Sequence, residues 1–298
     1  MPILSSRERI SHSEINAYRQ CPRRHWYGYL RRIERRDGQS NAATRGSLTH
    51  TILEEYFTHR KAGDSHELSM SFADIMLTQN MMHPDALDVH RMLKWFGKAN
   101  PLPEDKYRVS AIEKRFAIPI VGDVQLVAAL DVIVRDSDGN YAVVDTKTTY
   151  DFYTEERIAM DTQLPEYLHM LRSKGLPADY AMILQLRSRK LKAESETEAA
   201  MVRLTKIKPS EATMRNVWRD TVITADEIVV ARENYDTFAA FYGDSNVDDG
   251  GPARTAIDAV CKMCPFRMLC IAELQEEGAD LLLQAQYRVK TEERGYEI

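Results

Sequence analysis

The stretch Tyr141-Ala-Val-Val-Asp-Thr-Lys-Thr-Thr149 combines a predicted strand with two charged residues, Asp145 and Lys147. It follows the turn-forming run Asp136-Ser-Asp-Gly-Asn140 and opens with aromatic and β-branched residues, which predicts a strand leaving a hairpin. Asp145 and Lys147 are two residues apart, so on a strand both side chains leave the same face. The pair is either a surface ion pair, which contributes little stability, or part of a site whose other members lie elsewhere in the chain.

The composition is that of an ordinary soluble protein. The chain has 298 residues, of which 44% are hydrophobic and 29% are charged, enough for one sizeable core or two modest ones. We expect a cytoplasmic protein with no membrane partner, because no apolar run approaches the ~20 residues of a membrane helix and no hydrophobic signal region opens the chain. A formal net charge of -5 means that any nucleic-acid binding would depend on local basic patches.

Four cysteines lie at the two ends of the chain. Cys261, Cys264 and Cys270 form a C-x2-C-x5-C cluster, and Cys21 precedes Pro22 near the N-terminus. In a reducing compartment cysteines are more often ligands or free thiols than disulfides. Three of them within ten residues favour ligands, and four thiolates can complete a tetrahedral zinc site or an iron–sulfur cluster. Spacing alone does not separate these two metals.

Arginine and aromatic residues alternate in a first predicted helix, roughly residues 13 to 34. Arg19, Arg23 and Arg24 precede Trp26. Arginine next to aromatic rings suits phosphate contacts and base stacking. The alternative is a solvated helix face above an aromatic core stripe.

A second helix is predicted from about Ser47 to His59, where apolar residues recur with a helical period. Gly46 just before it permits a close backbone approach. His50 and Glu54 are four residues apart and share one face of this helix, although a single histidine on a helix is more often structural than a ligand. Residues 67 to 100 are predicted to be helical and contain no chemical cluster.

From Tyr107 the sequence favours β structure, and we expect a meander of about four strands. The expected strands are Val109–Phe116, Ala117–Val121, Val124–Val134 and Tyr141–Thr146. Asp131 lies inside an apolar strand, and a buried carboxylate is costly unless a cation or hydrogen bonds meet it; it could instead face water at a strand edge. Glu113, in the preceding strand, could reach the same area.

A helix from about Thr162 to Ser173 places Gln163 and Tyr167 on one face, with Thr162 as its N-cap; the pair could also be an ordinary amphipathic helix start. A strand at Asp179–Leu186 then predicts a crossover connection and an α/β or α+β core. The remaining predictions are a second basic patch (Arg187, Arg189, Lys190 and Lys192), a strand-like piece (Ala200–Ile207), a helical stretch (209–242) and a flexible acidic linker (Gly243–Pro252).

In this order, the motifs resemble the RecB-like branch of the PD-(D/E)XK nucleases, especially its iron–sulfur members, which include AddB-type helicase-nucleases and CRISPR-associated RecB-like exonucleases. The matching pieces are the segment around Cys21, Gly46-Ser-Leu-Thr-His50 with Glu54 one turn later, Asp131, Asp145-Thr-Lys147, Gln163-Leu-Pro-Glu-Tyr167 and the three late cysteines. Family members often have glycine where this chain has Ala129. Residues 60 to 105 and 190 to 250 match no motif.

The resemblance implies a restriction-endonuclease-like α/β (α+β) core with a mixed central sheet flanked by helices, a helical N-terminal insertion and termini tethered by the cluster. The expected divisions of one compact nuclease domain are a first helical segment (1–40), a helical segment with the histidine motif (41–105), the core sheet and helix (106–208) and a C-terminal helical region (209–298).

The resemblance also implies the site residues. The catalytic residues would be Lys147, Asp145, Asp131, Gln163 and Tyr167. A Mn²⁺ or Mg²⁺ ion would be bound by His50, Asp131, Asp145 and the carbonyl of Thr146. A 4Fe-4S cluster, with Zn²⁺ as the alternative, would be bound by Cys21, Cys261, Cys264 and Cys270. DNA would be contacted by Arg19, Arg23, Arg24 and Tyr167.

The function expected from this resemblance is a DNA exonuclease acting on single strands or free ends in repair, recombination or phage DNA metabolism. Endonuclease activity stays open. One alternative is a CRISPR-adaptation nuclease that processes spacers with partner proteins, and another is a non-catalytic DNA-binding iron–sulfur scaffold. No G-x-x-x-x-G-K-[ST] motif occurs, so any ATP-driven unwinding would require a helicase partner.

Overall fold

The computed structural model of the chain describes residues 3–4, 8–37, 41–242, 251–290 and 296–297. These residues form two compact units, each assembled from separate parts of the chain. The first unit comprises Met1–Gln39, Ala117–Val127 and Arg219–Ile298, and the second comprises Ser40–Phe116 and Ala128–Trp218.

In the described ranges the helices are α1 (His12–Gln20), α2 (Pro22–His25), α3 (Asn41–Ala62), α4 (His66–Gln79), α5 (Ala86–Ala99), α6 (Glu155–Ala159), α7 (Gln163–Ser173), α8 (Glu198–Met201), α9 (Glu211–Tyr242), α10 (Asp258–Lys262), α11 (Arg267–Gln275) and α12 (Ala279–Gln286). The strands are β1 (Ile3–Leu4), β2 (Arg9–Ser11), β3 (Ile33–Arg35), β4 (Tyr107–Val121), β5 (Val124–Asp136), β6 (Tyr141–Thr149), β7 (Tyr180–Arg187), β8 (Val202–Ile207), β9 (Tyr287–Val289) and β10 (Tyr296–Glu297). The expected mixed α/β fold with a mixed sheet flanked by helices is confirmed.

The sheet of the second unit contains both parallel and antiparallel pairs. β5 and β6 form an antiparallel hairpin, β6 pairs with β7 in parallel, and β7 pairs with β8 antiparallel. A parallel pair needs a crossover connection, and α7 lies between β6 and β7 in the chain, as the sequence predicts.

The two faces of this sheet carry different residues, because successive side chains of a strand point to opposite sides. Val144 and Met182 join a buried apolar cluster with Ile52 of α3 and Leu93 of α5. The intervening positions of β6, which include Asp145 and Lys147, belong to the other face. The helix α7 contacts β6 and β7, and its own buried residues stand outside that cluster. Asp145 and Lys147 therefore lie on the α7 face.

The β5–β6 hairpin is closed by Asp136. Its carboxylate accepts the backbone N–H groups of Asp138 at 3.1 Å and Asn140 at 2.8 Å, and the Tyr180 hydroxyl at 2.9 Å. Partial burial opposes ionisation, but these donors outweigh it and lower the pKa of Asp136. Gly139 completes the turn with a φ of 91°, a conformation that glycine adopts readily.

In the first unit, β2 pairs in parallel with residues 125–127 of β5, while β1 pairs with β10 and β3 with β9, both antiparallel. A buried network joins α1, α2 and α9. The Glu14 carboxylate accepts hydrogen bonds from Arg232 Nη2 at 2.8 and 3.0 Å and contacts His25 Nε2 at 2.9 Å. The negative charge of Glu14 is thereby compensated inside the unit, as burial requires.

The single helix predicted over residues 13 to 34 is wrong. Cys21 is extended, with φ -166° and ψ 114°, and separates α1 from α2, which begins at Pro22. Proline lacks an N–H and disfavours helical geometry in the residue before it. A π-helical turn, Trp26–Leu30, follows α2 and leads to β3.

The number of strands in the meander is also wrong. The pieces predicted at Val109–Phe116 and Ala117–Val121 form one 15-residue strand, β4. Its irregularity lies instead at Glu113, whose φ is 45°. α3 extends beyond the predicted Ser47–His59 at both ends. Of the predicted acidic linker, residues 243–250 lie outside the described residues.

The start of α7 agrees with the sequence, but its capping bond does not. The Thr162 side chain makes no capping hydrogen bond, and the N–H of Leu164 donates instead to Asp161 Oδ1 at 3.0 Å. Within the described ranges, every helix is too short or too polar to cross a lipid bilayer.

Candidate active site

Asp145 and Lys147 form an ion pair on the α7 face of the sheet. Lys147 Nζ donates to Asp145 Oδ1 at 2.9 Å, and the Asp145 residue is only 3% exposed. Burial raises the pKa of Asp145 to about 6 even though the Lys147 ammonium opposes this shift. For Lys147, burial disfavours the charged form, but the neighbouring Asp145 carboxylate outweighs burial and raises its pKa. The carboxylate of the pair is thus withdrawn from water, unlike that of an ordinary surface ion pair, while the Lys147 side chain is half-buried.

Gln163 and Tyr167 extend this pair along the first turn of α7. Lys147 Nζ also donates to Gln163 Oε1 at 3.3 Å, and Gln163 Nε2 donates to the Tyr167 hydroxyl. Burial, and then the charge of Asp145, raise the pKa of Tyr167, so its hydroxyl stays protonated at neutral pH. The chain of contacts therefore fixes the ammonium of Lys147 between a carboxylate and an amide oxygen.

His50 and Asp131 meet beside the backbone of Thr146. The Thr146 N–H donates to Asp131 Oδ2 at 2.8 Å, and the same oxygen is 3.7 Å from His50 Nδ1. His50 Nε2 is 3.0 Å from the Thr146 carbonyl oxygen. A carbonyl oxygen can only accept, so Nε2 is the donor and carries the proton. In a neutral imidazole this leaves the Nδ1 lone pair facing Asp131, available to a metal.

Glu113 completes a group of possible metal ligands. Among the residues described, one ligand atom each from His50, Glu113 and Asp131 lie within 4.8 Å of one another. Burial raises the pKa of Glu113, and the charges of Asp131 and Glu54 add to the shift. Clustered carboxylates beside an imidazole are a donor set that suits a divalent cation, which would relieve their mutual repulsion. The side chains of His50, Glu113 and Asp131 therefore fit a divalent metal ion.

The predicted ligands do not all point to one place. Asp145 lies outside the group of three, and its Oδ1 accepts a hydrogen bond from Lys147. The negative charge of Asp131 nevertheless contributes to the raised pKa of Asp145, so the two carboxylates interact. Thr146 contributes its carbonyl to His50 and its N–H to Asp131, and thereby connects the two halves of the site.

The sequence indicated Glu113 only weakly. An acid in the strand before Asp131 suggested proximity, but the alternation along β4 could not decide which way it points. A left-handed φ at a glutamate is rare and depends on surrounding structure. Gly46 lies close to β6, as a Cβ there would be 3.4 Å from Thr148 Oγ1.

The predicted DNA-binding arginines differ in exposure. Arg23 is 3% exposed and its Nη2 donates to Glu273 at 2.6 Å. A Cβ at Gly251 would clash with the guanidinium of Arg23, so that group is tightly enclosed. Arg19 is exposed and donates to a threonine hydroxyl, and Arg24 is half-buried. Of these three arginines, Arg19 and Arg24 reach the surface of the first unit, whereas Arg23 does not.

All four cysteines belong to the first unit, are half-buried and form no disulfide. Burial raises the pKa of Cys264, and the nearby Cys21 and Cys270 add to the shift. Hydrogen bonds from the region of Thr255 and from α2 outweigh burial and lower the pKa of Cys21. Arg254 Nε donates to Cys270 Sγ at 3.1 Å. Three of the thiols are thus close enough to influence one another.

Residues 9–271 match the sequence profile of the PD-(D/E)XK nuclease superfamily. The chain belongs to this superfamily. Similar solved structures include "Crystal structure of SSO0001" (14% identity, TM-score 0.37, covering 89% of this chain and 87% of that one). Another is a "Putative exonuclease" from Eubacterium rectale (10% identity, TM-score 0.47, covering 77% and 82%). No curated protein matches. With TM-scores this low, membership rests on the sequence match, and PD-(D/E)XK nucleases use divalent metals.

Proposed function

We propose that this PD-(D/E)XK nuclease is a metal-dependent DNA exonuclease that acts on single strands or free ends. The observation that carries the proposal is the position of Thr146, whose backbone hydrogen-bonds His50 and Asp131 while its neighbours Asp145 and Lys147 form an ion pair with a buried carboxylate. Carboxylates, an imidazole and an ammonium group thus lie together within the second unit. That combination suits metal-assisted phosphodiester hydrolysis.

The metal ligands proposed are His50, Asp131, Asp145 and the carbonyl of Thr146, and Glu113 is near enough to add an oxygen. Oxygen donors suit Mg²⁺ or Mn²⁺, and the imidazole shifts the preference towards Mn²⁺. Such an ion, when bound, polarises a phosphate oxygen and lowers the pKa of a water molecule.

The other residues act on the nucleophile and the developing charge. Lys147 orients the attacking water and offsets negative charge on the phosphate in the transition state. Its two contacts, with Asp145 and Gln163, hold the ammonium in one position, so little reorganisation is needed during the reaction. Tyr167 in turn holds the Gln163 amide, and in this proposal it also contacts the DNA strand.

We further place the chain in the RecB-like branch, with a 4Fe-4S cluster bound by Cys21, Cys261, Cys264 and Cys270. Support comes from the shared electrostatics of Cys21, Cys264 and Cys270 and from the donors aimed at Cys21 and Cys270. The cluster has a structural role in this proposal, since it joins α1 and α2 to α10 and α11 within the first unit.

The decisive assay uses end-labelled single- and double-stranded DNA with Mn²⁺ or Mg²⁺. We expect wild type to degrade labelled single strands from an end, and EDTA to abolish the activity. Lys147→Ala and Asp145→Ala should each lose at least about 100-fold in rate, the scale of removing one preorganised charge-stabilising group. Lys174→Ala, an exposed lysine at the end of α7, serves as the matched control and should keep full activity.

Undiminished cleavage by both site variants would reject the catalytic assignment. Cleavage confined to internal positions of circular DNA would reject the exonuclease part while keeping the nuclease. Wild-type protein that binds DNA without cutting it in either metal would favour a non-catalytic scaffold.

A further inference from the structure

A surface of arginine and aromatic side chains lies beyond the catalytic motif. We call it the arginine–aromatic surface and define it as Tyr150, Phe152, Arg187, Arg189 and Arg203. β6 ends two residues after Lys147, and Tyr150 and Phe152 follow at once. At about 3.3 Å per residue of strand, the backbone of Tyr150 lies roughly 10 Å from that of Lys147.

Two of the arginines, Arg187 and Arg203, leave the same face of the sheet as Lys147. In the ladder, Lys147 is the partner of Gln185, which is the partner of Arg203. Cross-strand partners point to the same side of a sheet. Arg187 lies two residues beyond Gln185 and therefore shares that side. The catalytic ammonium and two guanidinium groups thus occupy one face within three neighbouring strands.

The aromatic segment packs against these arginines. The guanidinium carbons of Arg187 and Arg203 lie 4.2 and 4.3 Å from the centre of the Phe152 ring, and that of Arg189 lies 5.8 Å from the Tyr150 ring. The Tyr153 N–H donates to Gln185 Oε1 at 2.7 Å, which returns the segment to the strand beside Lys147. The surface is therefore ordered by the fold before any ligand arrives.

The arginine–aromatic surface carries more positive than negative charge and exposes an aromatic ring, which a purely structural element does not need. Among the described residues, the ion pairs of these three arginines are made with a single acid, Asp151, which contacts Arg189 at 3.2 Å and Arg187 at 3.6 Å. Tyr150 is 70% exposed. An excess of positive charge beside a solvent-exposed ring is the chemistry that holds a phosphate backbone and stacks an unpaired base. A base within a duplex cannot offer its face in this way.

We propose that the arginine–aromatic surface binds unpaired nucleotides of DNA, with a base stacked on Tyr150 and phosphates on Arg189 and Arg203. This inference rests on the proposed function for its biological meaning, because it makes a single strand the preferred substrate. It explains why the second basic patch follows β7, the strand next to the catalytic one.

The test measures binding by fluorescence anisotropy in EDTA, where no cleavage occurs, with labelled oligo(dT) and a blunt DNA duplex as probes. Tyr150→Ala should weaken oligo(dT) binding at least about 5-fold, the lower end of one stacking contact, and change duplex binding little. Tyr150→Phe, which keeps the ring, should bind as wild type. Met160→Ala, another exposed apolar side chain of the second unit, is the matched control and should have no effect.

Arg189→Ala gives an independent measurement because the residue is exposed. Its oligo(dT) affinity should depend less steeply on salt, with a slope lower by about 0.7 for one lost phosphate contact. Oligo(dT) binding by Tyr150→Ala equal to that of wild type, or an equal loss for the duplex, would overturn the proposal. Binding is measured without metal and cleavage is measured separately with Mn²⁺ or Mg²⁺, so a protein that binds through Tyr150 but does not cleave DNA in the metal-containing assay would reject only the nuclease function. Normal cleavage with unchanged binding by Tyr150→Ala would reject only this surface.

Discussion

At the scale of single residues, Gln163 has two simultaneous roles. Its amide oxygen accepts from Lys147, and its amide nitrogen donates to the Tyr167 hydroxyl. An amide can do both because it carries an acceptor and a donor on one planar group. Neither partner is bonded to the other directly, so Gln163 transmits the fixed position of α7 to the ammonium of Lys147.

We predict that Gln163→Ala lowers the rate of DNA cleavage by about 10- to 100-fold, because a hydrogen bond to a charged group contributes ~1.5–3 kcal/mol. KM should change little, since the lost contact positions Lys147 and does not bind DNA. Gln79→Ala, an exposed glutamine of α4, is the control and should leave both constants unchanged. An unchanged kcat, or a fall in unfolding temperature large enough to explain the lost activity, would contradict this role.

At the scale of secondary structure, the β5–β6 hairpin brings Asp131 and Asp145 to the same end of the sheet. The ladder runs from Arg135↔Tyr141 to Val132↔Val144. The next positions are Asp131 and Asp145, where the Asp131 carboxylate takes the Thr146 N–H. The turn that sets this register is held by Asp136, so a carboxylate in the turn supports the register that brings Asp131 and Asp145 together.

We predict that Asp136→Ala lowers the free energy of unfolding by about 1–2 kcal/mol at pH 7, because it removes three hydrogen bonds to a carboxylate that is partly exposed. The pKa of Asp136 is lowered in the folded state, so its contribution is complete above the unfolded value near ~4 and disappears as pH falls through the folded value. Urea unfolding should therefore show a difference in the free energy of unfolding between wild type and Asp136→Ala at pH 7, and a smaller difference at acidic pH.

Tyr180→Phe is the matched variant for the hairpin. It keeps both backbone bonds to Asp136 and removes only the one from the tyrosine hydroxyl, so its loss should be the smaller of the two. A difference between wild type and Asp136→Ala that stays constant with pH would show that the charge of this residue does not stabilise the turn.

Local pattern was sufficient for part of this fold. The spacing of Asp145 and Lys147 fixes their common face because a strand has a period of two. The crossover through α7 follows from a helix placed between two strands. Pro22 was also a local signal, but the arginine and aromatic pattern that continues past it favoured one helix and concealed the break.

Other features depend on contacts that no local pattern records. The buried position of Arg23 depends on its partner Glu273, which is 250 residues away in the chain. Because the local sequence does not show this partner, it predicts a DNA contact for Arg23 instead. The place of Glu113 depends on a left-handed residue inside β4, a conformation imposed by the surroundings. His50 could be matched to a motif, but the orientation of its ring is set by the Thr146 carbonyl.

At the scale of the whole molecule, the proposed cluster would stabilise the first unit. We predict that protein purified without air is brown, and that Cys264→Ser loses the visible absorption and unfolds at a lower temperature. The expected loss is a few kcal/mol, because the cluster closes a very long loop between Cys21 and the late cysteines. Met263→Ala, exposed between two cysteines, is the control and should keep both properties.

Colourless protein with stoichiometric zinc would contradict the iron–sulfur assignment while keeping a metal at these thiols. Protein that holds no metal, and whose unfolding is unaffected by Cys264→Ser, would contradict both.

The division of the chain also has a consequence for biosynthesis. The second unit ends at Trp218, whereas the first needs Met1–Gln39 together with Arg219–Ile298. At about 5–20 residues per second, the ribosome leaves the N-terminal helices without their later neighbours for roughly ten seconds or more. A nascent chain that has emerged from the ribosome as far as Trp218 is expected to hold Asp131, Asp145 and Lys147 in one folded body. At that stage Cys261, Cys264 and Cys270 have not yet emerged, so Cys21 has no other thiol with which to share a metal centre. The nuclease centre is therefore expected to mature before the cysteine centre.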